Sequence, residues 1–246
     1  LYRRHFTDIV WIGRRTEESL ITAKSIRFIP LTAGKLYRHF SLAAIISFLT
    51  IPVGLVQSWL ILRRLRPRLI VSFGGYIALP VCLAAYSLGI PIITHEQGTR
   101  VGLANRIIGL LARRVAISWA PTRSAFPPRL TVLTGNLLRS AIVHRRTRSP
   151  IRRPLRHPLI YVTGGHQGSR VINQTLRQLL PQLTRRYVVV HQTGSADFNQ
   201  FSALKLRHYS PFSWLDNEQV SWCFHHASLI ISRAGANTVT ELAFTG

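Results

Sequence analysis

Short apolar runs alternate along this chain with longer segments of helical period, a pattern that predicts parallel α/β sheets. Strands are expected at 9–12, 26–30, 69–73, 92–94, 114–117 and 131–134. Helices are expected between them, a polar one over 17–24 and apolar ones over 40–65, 78–88 and 103–112. A second series follows residue 158, with strands at 159–162, 187–190 and 229–232. Its helices run up to 183, near 216–225 and over 238–244. Between the two series, residues 143–158 are dense in Arg, Pro and His and have no apolar period, which is the signature of a linker. The expected organisation is an N-terminal domain over 1–142, a linker over 143–158 and a C-terminal domain over 159–246.

One segment departs from this rhythm. Residues 41–62 carry no charge, and an uncharged stretch of about 22 residues is long enough to span a bilayer. Pro52, Gly54, Gln57 and Ser58 interrupt it, and both flanks are basic, so the flanking charges do not orient it. A spanning helix and a helix packed on a sheet both remain open on this pattern alone.

Composition narrows the classes. The 246 residues are enough for two modest domains, and 47% hydrophobic content supports a packed core rather than disorder. The chain contains no Met and opens on Leu1, so it reads as a fragment or a processed form. Residues 243–246 read as a helix end capped by glycine, not as a domain end. Two distant cysteines fit a reducing compartment, and no metal-ligand spacing is present. The net charge of +24, carried almost wholly by Arg against eight carboxylates, points to anionic partners. A nucleic-acid binder would explain that charge, but the aromatics are not interleaved with the basic runs and no nucleic-acid motif appears.

The chemistry is concentrated in glycine turns. The run LIYVTGGHQGSR (159–170) is a buried strand, a glycine turn and the start of a helix. Gly164, Gly165 and Gly168 let backbone N–H groups approach an anion, and the helix N-terminus adds partial positive charge. The run IISRAGANTVTEL (230–242) repeats the arrangement. Earlier in the chain stand FGGY (73–76), HEQG (95–98) and GNLLR (135–139).

Five such motifs in this order, FGGY, HEQ, GNxxR, GGxQGxR and SRAGAxTxxE, resemble the MurG family over nearly the whole chain. The resemblance implies two Rossmann-like domains facing across a cleft, the GT-B type, both incomplete here. It implies a glycosyltransferase of peptidoglycan synthesis. N-acetylglucosamine would pass with inversion from UDP-N-acetylglucosamine to the muramyl sugar of an undecaprenyl-diphosphate-linked muramyl-pentapeptide, lipid I becoming lipid II. No cofactor or metal is implied: the sequence has no Asp-x-Asp, and backbone N–H groups and helix dipoles suit a metal-free diphosphate site.

The resemblance also distributes roles. Donor binding falls to the C-terminal half, with Gly164, Gly165, His166 and Gln167 at the diphosphate turn and Asn173 facing the cleft. Arg139 and Arg233 would contact the nucleotide side, Thr238 would touch a phosphate or cap its helix, and Glu241 would accept the ribose hydroxyls. Leu215 stands where the family reads uracil through backbone groups. Tyr76 and Glu96 belong to the acceptor side, with Glu96 positioning or deprotonating a hydroxyl, while His95 is structural.

Three positions depart from the family pattern: His166 replaces Ser, Leu137 replaces Pro, and Gly98 replaces Asn. The family's first strand and glycine loop would precede Leu1, and its donor-sugar segment would follow Gly246, so this chain alone is expected to be inactive. The alignment sets 41–62 between two strands of the first sheet, which favours a helical hairpin or bent helix packed there over a spanning one. Its apolar patch beside arginines would rest on anionic phospholipid at the cytoplasmic face of the inner membrane, each Arg gaining about 1 kcal/mol. The competing readings are a related diacylglycerol glycosyltransferase, a basic nucleic-acid- or membrane-binding protein, and a degenerate copy.

Overall fold

Every strand pairing among the described residues is parallel, as the alternation of elements requires. The computed structural model describes residues 8–32, 42–152, 154–165 and 167–246, without the side chains of Leu20 and of residues 42–51. The chain divides into two units, Leu1–Gly135 and Asn136–Gly246.

In the first unit, β1 (Val10–Gly13), α1 (Glu18–Thr22) and β2 (Arg27–Pro30) form a two-stranded sheet of their own. There follow α2 (Leu42–Leu65), β3 (Ile70–Ser72), α3 (Ala78–Ser87), β4 (Ile92–Glu96), α4 (Leu103–Leu111) and β5 (Arg114–Ile117). Two short 3-10 turns then lead to β6 (Thr131–Leu133), and the second sheet has the order β3-β4-β5-β6. Its core joins Leu62, Val81, Cys82, Ala84, Ala85 and Ile108 from the helices to Ile92, Val115 and Ile117 from the strands. Each large aliphatic side chain so buried contributes about 1.5–3 kcal/mol.

The segment expected as a hairpin or bent helix is a single α-helix, α2, with Pro52 inside it. Gly54, Ser58 and Leu62 recur every four residues and form its buried stripe, while Val53, Val56 and Leu60 remain exposed. Among the described residues no helix is long and apolar enough to cross a membrane.

The second unit contains α5 (Ser140–Val143), β7 (Leu159–Thr163), α6 (Arg170–Leu183), β8 (Val188–Gln192) and α7 (Phe198–Ser202). It continues with β9 (Tyr209–Phe212), α8 (Asn217–His226), β10 (Ala227–Ser232) and α9 (Ala236–Thr245), and the sheet order is β10-β7-β8-β9. Alternate residues of β7 and β8 fill opposite cores. Leu159, Tyr161, Val188 and Val190 face α5 and α8, whereas Ile160, Val162 and Val189 face Leu176 and Leu180 of α6. Burial on both faces is why these strands read as continuous apolar runs.

The division between units falls after Gly135, not after residue 142. The reason is packing: α5 buries Ala141 and Ile142, and Ser221 of α8 donates to the Ala141 carbonyl at 3.1 Å. Nor is 143–158 a free linker. Ile151 and Leu155 pack on the second core, and the Arg148 guanidinium pairs with Asp216.

Candidate functional site

The sheet order of the second unit creates a switch point. From β7 the chain moves outward through β8 to β9, then returns across the sheet to place β10 on the other side of β7. The loops leaving β7 and β10 therefore diverge from neighbouring strand ends, the position where open α/β sheets bind ligands. Both loops are the glycine turns singled out in the sequence.

After β7, Gly164 is packed so tightly that Ser169 and Gly168 occupy the space a side chain would need. Gly165 and Gly168 take φ of +81° and +77°, which favours glycine. Gln167 is exposed, and His166 lies outside the described residues. Ser169 is the extended N-cap of α6 and makes no side-chain cap, so that helix start keeps unsatisfied N–H groups. After β10, Arg233 is exposed and Gly235 is the extended N-cap of α9, again without a side-chain cap. Thr238, half-buried in the first turn, is therefore not the helix cap.

On α9, Glu241 is 1% exposed. Its Oε1 accepts from the Arg139 backbone N at 3.4 Å and lies 3.4 Å from Arg139 Nε, while Oε2 is buried without a partner among the described residues. Burial pushes this carboxyl above its ordinary value, and Arg139 opposes that shift. Asn136 fastens the same segment to α9 by donating to Asn237 Oδ1 at 2.9 Å and Thr240 Oγ1 at 3.2 Å. Arg139 and Glu241, picked out separately in the sequence, thus belong to one cluster.

Asn173 does not face a cleft. It is fully buried on α6, with Nδ2 donating to the Thr193 carbonyl at 2.9 Å and to Asp197 Oδ2 at 2.7 Å. Its Oδ1 meets His191 Nε2 at 3.0 Å, so its amide is fully engaged by protein. Leu215 is buried in the core, and the neighbouring Trp214 is half-exposed.

In the first unit, three motifs converge at the ends of β3 and β4. Glu96, 7% exposed, accepts from Gly98 N at 2.8 Å and from Asn105 Nδ2 at 2.7 Å. Asn105 in turn fills the space beside Gly74 of FGGY and leaves no room for a side chain there. Tyr76 is half-buried at the same strand ends. His95 Nε2 lies 3.1 Å from the Gly135 carbonyl, which ties β4 to the end of the unit. Among the described residues no cluster could hold a metal ion. Burial pushes the Cys82 and Cys223 thiols up to about 11 and about 12, so neither serves as a nucleophile.

Asn105 and the HQTG segment (191–194) were not singled out by their sequence pattern. A strand ending in polar residues before a glycine was the available signal for the second. Asp216 and Gln219 form a capping box on α8, another signal open to inspection.

Both halves of the chain resemble known proteins. Residues 4–117 match the glycosyltransferase family 28 N-terminal domain, and residues 159–246 match its C-terminal domain. A UDP-N-acetylglucosamine–N-acetylmuramyl-(pentapeptide) pyrophosphoryl-undecaprenol N-acetylglucosamine transferase from Treponema denticola is 34% identical over 97% of this chain and 67% of its own length. The protein of that name from Legionella pneumophila is 29% identical over 100% of this chain and 69% of its own length. The chain thus spans about two thirds of the length of these curated relatives, 66% for that of Treponema pallidum. Among solved structures, MurG from Acinetobacter baumannii aligns with a TM-score of 0.59 at 24% identity, covering 96% of this chain and 66% of that one. The glycosyltransferase of kitacinnamycin aligns with a TM-score of 0.63 at 14% identity, over 95% and 70%. These likenesses establish the fold, α/β with parallel sheets of the GT-B type.

Proposed function

From the premise that the chain belongs to the MurG family of glycosyltransferase family 28, we propose that it transfers N-acetylglucosamine from UDP-N-acetylglucosamine to a lipid-linked muramyl-pentapeptide. The observation that carries this reading is the switch point of the second unit, where two uncapped helix starts leave adjacent strands beside the Arg139–Glu241 cluster. The acceptor hydroxyl oxygen attacks the anomeric carbon with inversion, the bond from that carbon to the diphosphate breaks, and the hydroxyl proton passes to a base. Charge collects on departing UDP, where the N–H groups of the two turns and the dipoles of α6 and α9 are suited to stabilise it without a metal. Glu241 Oε2, buried and without a partner among the described residues, is suited to accept a ribose hydroxyl brought against it, and the Leu215 backbone is the contact proposed for uracil.

On the acceptor side, Glu96 already accepts two hydrogen bonds, which suits it to shaping the loop from Gln97 onward. Tyr76 stands beside it as an acceptor contact. The exposed Val53, Val56 and Leu60 of α2, followed by Arg63 and Arg64, suit a peripheral seat on anionic phospholipid at the cytoplasmic face.

Calorimetric titration with UDP-N-acetylglucosamine tests the donor half of this reading. Binding without magnesium is expected, with Glu241→Ala and Arg139→Ala each weakening it about tenfold. A folded protein that ignores the nucleotide at millimolar concentration would reject it.

A further inference from the structure

We propose that His191 and Gln192, at the end of β8, are positioning residues for the donor turn after β7. This proposal rests on the reading of that turn as the diphosphate site. Neither residue needs to touch the ligand, and both are buried, at 0% and 4% exposure.

Two sets of contacts carry the argument. In the first, Gln192 Nε2 donates to the Gly165 carbonyl at 3.1 Å, and Gln192 Oε1 accepts from the Tyr161 hydroxyl at 3.3 Å. Gly165 N donates to Thr163 Oγ1 at 3.0 Å, so the peptide groups flanking that glycine are held from two sides. In the second, the backbone of Thr193 and Gly194 abuts the turn so closely that neither Gly168 nor Gly194 has space for a side chain. The Thr193 carbonyl that presses on Gly168 is the one that accepts from Asn173. Asn173 is held in turn by His191.

The hydrogen-bond pattern also assigns the tautomer of His191. Both Asn173 Nδ2 hydrogens are spent, on Thr193 O and on Asp197 Oδ2, so Asn173 Oδ1 faces His191 as an acceptor. His191 therefore carries its proton on Nε2. Its bare Nδ1 accepts from the Tyr209 hydroxyl, 2.9 Å away. Phe201 closes the ring's edge at 5.0 Å between centroids. A neutral, singly oriented imidazole at the base of the network is what a rigid turn requires, because N–H groups stabilise a developing charge only when already aimed.

Titration of UDP and of uridine into the parent protein and its His191→Leu, His191→Gln and Gln192→Leu variants tests the proposal. The turn serves the phosphates, so His191→Leu and Gln192→Leu are expected to weaken UDP about tenfold while changing uridine little. His191→Gln, whose amide nitrogen reaches where Nε2 stood, should recover most of the loss. Gln192→Leu leaves the His191 network intact and supplies the answer if His191→Leu does not fold. Equal losses for UDP and uridine, or unchanged UDP affinity in folded variants, would overturn the positioning role alone. Failure of the parent protein to bind UDP overturns the donor-site reading itself, and this inference with it.

Discussion

Among the described residues, the buried carboxylate of Glu241 meets Arg139 from 102 positions away through one oxygen, and its other oxygen is buried without a partner. Because burial raises this carboxyl above its ordinary value despite Arg139, the folded protein holds the proton more tightly than the unfolded chain. That contribution is lost as pH rises through the folded-state value. Glu241→Gln removes the ionisation and keeps the shape. Urea midpoints of the unliganded variant should therefore gain on those of the parent as pH is raised from the acid side. A gap that stays constant with pH would reject this account.

His191 predicts an acid limit. Burial lowers its imidazole from 6.5 to about 4, against the opposing charge of Asp197. The groups facing it are Tyr209 of β9, Asn173 of α6, and Asp197 and Phe201 at the start of α7 and within it. Between those two values the unfolded chain takes up a proton that the folded protein refuses, so stability falls as pH falls through this window. The loss should amount to about 3 kcal/mol. Its slope should diminish in His191→Gln, and an identical pH profile for the two proteins would contradict the assignment.

Two glycines of one turn should respond differently to alanine. Gly165 has φ of +81° but open space where a Cβ would stand, so Gly165→Ala should cost about 1 kcal/mol. Gly168 has φ of +77° and the Thr193 carbonyl where the methyl would fall. Gly168→Ala should cost about 2 kcal/mol or more and loosen UDP binding as well. Chemical denaturation and calorimetry check the ranking, and equal costs would show that the turn yields at Gly168.

The exposed face of α2 makes a claim about surfaces. Val56→Glu with Leu60→Glu places two charges at positions 58% and 46% exposed, away from the buried Gly54–Ser58–Leu62 stripe. Stability should change little, because the replaced side chains are not in the core. Sedimentation with anionic phospholipid vesicles should fall about tenfold or more. Undiminished binding would assign the attachment to some other surface.

Strands β4, β7 and β8 could be read from the chain because their apolar runs are buried on both faces and lead into glycine turns. The exceptions have physical causes. Strand β9 contains Pro211, which argues against a central strand, and it is an edge strand, where proline is tolerated. Helix α5 is four residues long, too short to show a period, and it drew the unit boundary to Gly135. The turn glycines and Glu241 were visible because backbone geometry and scarce carboxylates mark themselves in sequence. Asn173 was visible as a site residue but not in its orientation, because the groups that consume its amide come from β8 and from the turn before α7. The same non-local wiring hid His191, Gln192 and Asn105.

The return of β10 across the sheet has a kinetic consequence. β7 pairs with β8 and β8 with β9, each the next strand in the chain, whereas β10 must close a long loop to reach β7. Loop closure of that kind comes late, since its entropy must be spent before the contacts are made. The two glycine turns become neighbours only at that step. In refolding, helical and strand signals should therefore return before nucleotide binding does, and the delay between them times the docking of a single strand.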